Sequence, residues 1–398
     1  MSSENAWSKL PIDLQEQFYE KAEIEARKLI EVIGDFKSQI ELARNKIIPY
    51  IHQLNFGAPK DVSIAAIDGS FSPKPAETIG ARFSVYSAGF IMVRGRSIVE
   101  EGYLSGDIRR AQSYNREFFS SALHVNTSYL ERKAALKALE SNPDLLLLDG
   151  SFLSFAYSLF RIIRIGKSIS IPKDIFNTAT ETLEMTEKLL DSGKCVGIVK
   201  RGRSRAIGGW LSVEDGKKNP LVNFLDKQIL NNLMMPPSVL NYRVLLKEPG
   251  VQRAYSRVSE LLSSRDMSPQ EALSQAREWA IKSLTRSLGV SEEKAKTLES
   301  RINRIQVKVS DENPPFELEV PVEFEKEIMN ILFSSEDNFN MATGLPLAID
   351  LIDESVSLPV EFTKEFVNEV EARIVGSYDE NLNEVREFFT GMNPQKEF

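Results

Sequence analysis

A five-residue sequence that occurs twice, nearly unchanged, places the strongest constraint on how this chain folds. The copies are Ile67-Asp68-Gly69-Ser70-Phe71 and Leu148-Asp149-Gly150-Ser151-Phe152. Each follows a short apolar run typical of a buried strand, and the glycine indicates a turn at the strand end. Aspartates at the ends of neighbouring strands could share a divalent cation, because ligands bind at that edge of open α/β sheets and hard metals prefer clustered oxygens. The alternative is two ordinary strand-to-turn junctions, since Asp-Gly is common in turns.

Composition excludes several classes of protein. A chain of 398 residues with 42% hydrophobic and 27% charged residues is typical of a soluble globular protein with about two or three domains. A net charge of −8 argues against indiscriminate DNA coating, although a local basic groove remains compatible with it. The single Cys195 excludes disulfides and cysteine zinc sites and is expected in the core. Without a signal peptide or membrane-spanning run, we expect a cytoplasmic protein with no membrane partner.

The order of predicted elements indicates the fold class. An amphipathic pattern between Leu14 and Leu54 predicts an N-terminal helical arm over residues 1–60. The elements that follow are strands at 62–68, 82–93 and 97–104, a helix at 126–141, a strand at 145–148, a helix at 174–192 and a strand at 195–199. This order matches a ribonuclease-H-like core, where the first strand and the strand after the first helix are parallel neighbours. We therefore predict an α/β fold whose mixed sheet, flanked by helices, brings Asp68 and Asp149 together.

The remainder of the chain divides into three sections. The first part of the core is expected over residues 61–215, a mostly helical insertion over 216–304, and the completion of the core with C-terminal helices over 305–398. In the insertion, Ser268, Pro269 and Glu271 predict a capped helix that ends at Gly289. The last section predicts strands at 305–309 and 316–320 and helices at 323–333, 346–357 and 361–375.

A ribonuclease-H-like site also needs a carboxylate on the first helix. Glu131 is the best candidate and Glu117 the next, while Glu100 and Glu101 remain open. A glutamate between charged neighbours on a helix is more often a solvated surface residue, so the helical position alone does not decide the choice.

Taken in order, these motifs resemble the NurA nucleases, which process DNA ends with a ribonuclease-H-like fold. The resemblance runs from Val62 through both repeats and Glu131 to Lys200-Arg201-Gly202-Arg203-Ser204-Arg205. It resumes at the segment from Gly344 to Asp353, where the family has a Gly-Tyr-Pro-Tyr-like sequence and a helix with a late metal-site His or Asp. It does not cover residues 220–304.

The resemblance implies a metal-binding set of four carboxylates: Asp68, Glu131, Asp149 and Asp353. It further implies dependence on Mn²⁺ or Mg²⁺, a 5′-to-3′ exonuclease and single-strand endonuclease activity, and a homodimer. The expected partners are DNA and HerA, a hexameric DNA-translocating ATPase, in end resection for recombinational repair. Two departures stand out: no histidine follows His124, and Leu345 or Leu347 replaces the family tyrosine.

The late helix carries a second aspartate, Asp350, that could take the place of Asp353 in the metal site. Its apolar face is predicted to bury Ile349 and Ile352, with Asp353 at the border and Glu354 in solvent. Asp350 lies on the same side as Asp353, and an ordinary acidic surface is the alternative.

Catalytic roles follow from charge. Phosphodiester hydrolysis requires an activated water and relief of charge on the leaving oxygen, which metals held by Asp68, Glu131 and Asp149 could provide. Lys200 could neutralise the phosphate. Three arginines (Arg201, Arg203 and Arg205) could hold the DNA backbone, or form a solvated basic loop. Phe71 and Phe152 could stack on bases, although an apolar residue after a turn is more often in the core.

Two other classes of protein remain as alternatives. Actin-like ATPases and sugar kinases share this core, and two Asp-Gly-Ser turns with Gly208-Gly209 could hold ATP phosphates and adenosine. A non-catalytic NurA-like scaffold is favoured by the missing histidine and tyrosine and opposed by the retained carboxylates.

Overall fold

The structure, a computed structural model, describes residues 6–57, 61–111, 113–166, 171–377 and 382–391. Its strands are β1 (Ile51–Gln53), β2 (Ser63–Phe71), β3 (Ala76–Glu77), β4 (Arg82–Arg94), β5 (Ser97–Arg110), β6 (Leu145–Asp149), β7 (Cys195–Val199), β8 (Ser238–Asn241), β9 (Ile302–Lys308), β10 (Phe316–Pro321), β11 (Phe339–Asn340) and β12 (Leu345–Pro346). Its helices are α1 (Ile12–Ile47), α2 (Arg116–Glu140), α3 (Ser154–Ile165), α4 (Lys173–Asp191), α5 (Ala206–Asp215), α6 (Asp226–Leu233), α7 (Tyr242–Leu246), α8 (Gln252–Ser264), α9 (Pro269–Leu288), α10 (Glu292–Ser300), α11 (Glu325–Leu332), α12 (Leu347–Val356), α13 (Phe362–Ser377) and α14 (Leu382–Phe389).

One mixed sheet organises the described residues. Its strand order is β1-β8-β9-β10-β7-β6-β2-β4-β3, with β5 paired to β4. The three central strands β2, β6 and β7 are parallel to one another, whereas β4 and β10 flank them in antiparallel orientation. The succession β5-β4-β2-β6-β7 is the ribonuclease-H-like arrangement, which confirms the predicted fold class.

Helices cover both faces of the central strands. On one face, α2, α3 and α4 pack on Ala65 and Ile67 of β2. On the other, α11 and α12 pack on Ile64 and Ala66. Because successive side chains of a strand point to opposite faces, a strand buried on both sides must be apolar at nearly every position. The even-numbered residues of β2 therefore face α12, and this alternation continues to Asp68.

The N-terminal helix packs against the core only at its end. The predicted helical arm ends at Ile47 rather than Leu54, because the chain turns there into β1, an edge strand paired with β8. Ile40, Ala43 and Ile47 are buried against α5 and α6. Further back, the exposed fraction reaches 69% at Ile30 and 72% at Ile12.

The structure corrects one further prediction about local structure and adds elements that were not predicted. The strand β2 does not end at Asp68 but continues to Phe71, so the first repeat lies within a strand. The second repeat does end a strand, and Gly150 adopts a φ of +104° that favours glycine. Helix α3 was not predicted, and the mostly helical section also supplies β8 to the sheet.

Several local predictions are confirmed. Ser268 and Glu271 form the predicted capping box of α9, and Gly289 ends the helix with a φ of +66°. Cys195 is buried in the core, as expected. Within the described ranges, no helix combines the length and the apolar character that a membrane span needs.

We expect the anchored end of α1 and its exposed part to differ in their contribution to stability. Ile47→Ala should lower the free energy of unfolding by about 2–5 kcal/mol, because it opens a cavity under a fully buried side chain. Deletion of residues 1–33 should change Tm by less than about 2 °C at concentrations where the chain is monomeric, since exposed residues contribute little to stability. Thermal unfolding followed by circular dichroism measures both. A large loss of Tm that does not depend on protein concentration would show that the arm packs on its own chain.

Candidate metal centre

The register of the parallel strands places two aspartates side by side. Ile67 of β2 pairs with Leu148 of β6, so the next residues, Asp68 and Asp149, are neighbours. Both follow apolar residues of alternating direction, and both therefore point towards the face covered by α12. The two repeats therefore bring their aspartates together as predicted, although Asp149 ends β6 and Asp68 lies within β2.

Helix α12 supplies a third carboxylate. One carboxylate oxygen from each of Asp68, Asp149 and Asp353 lies within 4.8 Å of the others. The helix is oriented by Ile349 and Ile352, which are both fully buried. Asp353 follows Ile352 and therefore emerges at the border of the apolar face, as predicted.

Asp350 is held elsewhere. Its Oδ2 accepts hydrogen bonds from Asn340 Nδ2 at 2.7 Å and from Thr343 Oγ1 at 2.5 Å. These contacts tie the start of α12 to the turn between β11 and β12. Of the two aspartates on this helix, Asp353 is thus the one that the fold brings to the acidic group.

Lys200 lies among these carboxylates. Strand β7 pairs with β6 so that Ile198 is opposite Asp149, which places Lys200 just beyond the strand end. Its Nζ is 2.8 Å from Asp149 Oδ2 and 3.3 Å from Asp353 Oδ2. Burial lowers the pKa of this ammonium, but Asp149, Asp353 and Asp68 more than offset that effect and raise the pKa overall. Lys200 is therefore the counter-ion of the acidic group.

Glu131 approaches from the opposite face of the sheet. It lies on α2 against Gly69, where a Cβ atom would be 2.6 Å from Glu131 Oε1. Its Oε2 accepts a hydrogen bond from Arg132 Nη1 at 3.0 Å. Glu131 does not belong to the group of three oxygens, although its charge raises the pKa of Asp68. A ligand role for Glu131 therefore requires its carboxylate to reach around the sheet edge at Gly69.

The group is strongly electronegative. Burial raises the pKa of Asp68 to about 9, and the charges of Asp149 and Glu131 act in the same direction. Burial also raises the pKa of Asp149, against the opposing effect of Lys200. Closely spaced carboxylates in a buried position repel each other, and a cation between them removes that repulsion. An all-oxygen donor set fits Mg²⁺ or Mn²⁺ better than softer metals.

The remaining candidate carboxylates lie outside this group. Glu117 forms an ion pair with Arg164 at 3.4 Å. Glu101 accepts a hydrogen bond from Tyr103 on β5, the strand that also carries Glu100. The fold therefore separates all three of these glutamates from the group of three carboxylates.

The aromatic residues of the two repeats have different environments. Phe152 has no exposed surface and packs in the core, so the prediction that it stacks on bases is wrong. Phe71 is partly exposed, and its ring meets that of His124 edge-on at 5.0 Å. It lines a groove of about 550 Å³ between the segment after β2 and helices α2 and α13.

Three arginines follow Lys200 on the connection to α5. Arg201 and Arg203 are exposed, and Arg205 is partly buried. In contrast to most arginines of the chain, none of their side chains forms an ion pair or hydrogen bond within the described residues. Their charges are therefore available at the same sheet edge as the carboxylates.

The structure contains no adenosine-binding turn at Gly208-Gly209, the feature that left the ATP-binding alternative open. Gly208-Gly209 lies inside α5 rather than in a turn. A Cβ atom at Gly209 would be 2.1 Å from the carbonyl oxygen of Tyr255, so this glycine permits close packing against α8.

Comparisons with known proteins agree with the topology. A family model described as the NurA domain matches residues 62–358. The fold is similar to that of the NurA nuclease from Sulfolobus solfataricus, with 12% identity, 91% of this chain and 98% of that chain covered, and a TM-score of 0.56. It is also similar to a crystal structure of NurA with manganese, with 13% identity, coverage of 90% and 99%, and a TM-score of 0.51. No curated protein sequence matches the chain.

The raised pKa of Asp68 predicts how metal-free stability depends on pH. The unfolded chain loses this proton near 3.8, whereas the folded protein keeps it up to about 9, so this group makes folding less favourable as pH rises between those values. In EDTA, Tm of the parent should fall more between pH 6 and pH 9 than Tm of Asp68→Asn, which has no proton to lose. Scanning calorimetry checks this. Equal slopes for the two proteins would contradict the raised pKa of Asp68.

Proposed function

Because the chain belongs to the NurA family, we propose that it is a divalent-metal-dependent DNA nuclease. The observation that carries the proposal is the convergence of Asp68, Asp149 and Asp353 around Lys200. We propose the activities expected of the family: 5′-to-3′ exonuclease and single-strand endonuclease cleavage in DNA end resection for recombinational repair, in the cytoplasm.

The carboxylates hold the metal in this proposal. Asp68, Asp149 and Asp353 provide the oxygen ligands, and Glu131 completes the set from the other side of Gly69. Mn²⁺ or Mg²⁺ bound there supplies a Lewis acid that lowers the pKa of a water molecule and relieves charge on the leaving oxygen. The metal in the related NurA structure with manganese supports this choice of ion. Asp353 stands where the family has a late His or Asp, and it makes the ligand set harder in character.

Lys200 changes partners in the proposed reaction. Its Nζ neutralises Asp149 and Asp353 while the carboxylates have no other cation. The Lys200 ammonium would be repelled by a divalent ion held among these carboxylates, because both are cations. We propose that Lys200 then turns to a non-bridging phosphate oxygen of the substrate.

The arginine loop, residues 200–205, is proposed to bind the DNA backbone. Hydrogen bonds hold the backbone of the loop at both of its ends. Lys227 Nζ donates to the carbonyl of Lys200 at 2.7 Å, and Ser256 Oγ accepts from the amide of Arg205 at 3.0 Å. Preorganised basic groups without internal partners are suited to phosphate contacts, which position a nucleic acid without reading its sequence. Phe71 remains the proposed base-stacking residue, since it alone of the two repeat phenylalanines is partly exposed.

The exposed part of α1 supports the proposed partners. Apolar residues such as Ile24, Leu29 and Ile33 are at least half exposed on this helix. Apolar surface of this kind commonly marks a protein interaction site. We propose a homodimer that docks on a HerA-type hexameric ATPase. A non-catalytic scaffold is the remaining alternative, and the cleavage experiment below distinguishes it.

Substitution of the carboxylates should separate ligands from neighbours. Asp68→Asn and Asp149→Asn should abolish cleavage of labelled single-stranded and blunt duplex DNA in Mn²⁺, as should EDTA with the parent protein. Asp353→Ala should raise the Mn²⁺ concentration for half activity by at least about tenfold. Asp350→Ala is the matched control on the same helix and should titrate like the parent. Full activity of the Asp68 or Asp149 variant, or of the parent in EDTA, would rule the site out.

The arginine loop should control the salt dependence of binding. Each phosphate contact contributes about 0.7 to the slope of log K against log salt on single strands. Arg203→Ala should lower this slope by about that amount, and the combined change of Arg201, Arg203 and Arg205 by about three times as much. Fluorescence anisotropy with a labelled oligonucleotide measures it. Arg96→Ala, which removes an exposed arginine paired with Asp337, is the control and should leave the slope unchanged.

A further inference from the structure

A buried arginine side chain forms hydrogen bonds with the turn that follows β6. The side chain of Arg132 on α2 has no exposed surface. Its Nη2 donates to the carbonyl oxygens of Ser151 at 3.1 Å and Phe152 at 3.2 Å. Its Nη1 donates to Glu131 at 3.0 Å and its Nε to Thr186 at 3.3 Å. One guanidinium thus connects the second repeat to the carboxylate of the neighbouring residue, Glu131.

A buried glutamate on β10 forms hydrogen bonds with the same turn. Glu319 on β10 is 1% exposed. Its Oε1 accepts from Ser151 Oγ at 2.8 Å, and its Oε2 accepts from the amide of Phe152 at 2.7 Å. The Oε1 atom also accepts from Arg304, which balances the charge. The cation therefore binds the carbonyl groups of residues 151–152, and the anion binds their hydroxyl and amide groups.

We propose that Arg132 and Glu319 are positioning residues that fix the location of Asp149 and thereby set the metal affinity of the site. The strand β6 ends at Asp149, and the next residue, Gly150, has the conformational freedom of glycine at a φ of +104°. Without the two buried charges, the turn could move at this glycine and shift the carboxylate. Partners of this kind behind metal ligands typically change affinity by about 10–100-fold.

Arg132 adds a second link. It holds Glu131, which approaches from the α2 face, to the turn that follows Asp149, which points to the α12 face. The spacing between carboxylates on opposite faces of the sheet then depends on one side chain. The inference rests on the proposed metal site, because it concerns how firmly the ligands of that site are held.

Glu319→Gln removes the negative charge of this side chain and keeps its shape. The amide nitrogen of a glutamine must occupy the position of either Oε1 or Oε2. In the first case its hydrogens face Arg304, and in the second they face the amide of Phe152. Either orientation places donor against donor, so glutamine cannot keep all the contacts of the glutamate.

Glu317→Gln is a matched control on the same strand and face. Glu317 is 2% exposed and also binds Arg304, but its described hydrogen bonds and ion pairs do not include the turn after β6. Its other partner is the Gln306 amide, whose own oxygen has no hydrogen-bond partner. A flip of that amide would satisfy a glutamine at residue 317. Burial raises the pKa of Glu317 to about 7.

Two measurements test the proposal on the full chain at 20 °C. Isothermal titration of Mn²⁺ into the metal-free protein gives Kd, and amide hydrogen exchange without metal reports the Phe152 amide. Glu319→Gln and Arg132→Lys, which keeps the charge but loses the planar fork, should raise Kd for Mn²⁺ by at least about tenfold. Glu319→Gln should also make the Phe152 amide exchange faster. Glu317→Gln should match the parent in both.

The outcomes separate this inference from the proposed function. If the parent binds no Mn²⁺, the metal site itself fails. If the parent binds Mn²⁺ and Glu319→Gln binds it equally well, or if Glu317→Gln weakens binding as much, the positioning role is wrong. Should Glu319→Gln not fold, Ser151→Ala removes one of the same contacts at a partly exposed residue. An unchanged Kd for Ser151→Ala would then overturn the inference.

Discussion

Parallel pairing of β2 with β6 brings Asp68 and Asp149 together, and the rest of the sheet edge compensates for the charge that results. Asp68 is only 7% exposed, so water screens the repulsion between the two carboxylates poorly. Lys200 provides a cation from the next parallel strand, and the loop that follows carries three more. Asp353 adds a further carboxylate at the exposed side, which increases the demand for a cation. A cluster of this kind has little value for stability and is better explained by binding of a divalent ion.

The two copies of the repeated sequence have different structures because their neighbours differ. The first remains extended within β2, and its glycine allows Glu131 to approach where a Cβ atom would collide. The second leaves β6 in a turn that needs a positive φ, and its glycine provides that conformation. In both copies the aspartate points into the same group of carboxylates. The glycines thus serve two separate purposes, close approach in one copy and backbone geometry in the other.

The mostly helical section supports the proposed DNA-binding loop. Asp226 of α6 accepts hydrogen bonds from the amides of Ala206 and Ile207, which are the first residues of α5. Lys227 and Ser256 hold the backbone of the loop itself. The section also extends the sheet through β8, which pairs with β9 and with β1. Its helices therefore join the N-terminal arm, the sheet and the arginine loop into one packed unit.

The sequence alone determined the fold class and the neighbouring positions of Asp68 and Asp149, because strand ends and the order of elements are local patterns with fixed periods. It also indicated that Asp353 lies at the border of a buried face. It could not decide between Asp353 and Asp350, because that choice depends on Asn340 and Thr343. Apolar and charged side chains alternate along residues 316–319 (Phe316, Glu317, Leu318 and Glu319). This alternation is typical of a strand with one face in solvent. In the structure both glutamates are buried: Glu317 binds Arg304 and Gln306, and Glu319 binds Arg304 and the turn after β6. Periodicity fixes which side chains share a face, but only long-range packing decides what covers that face.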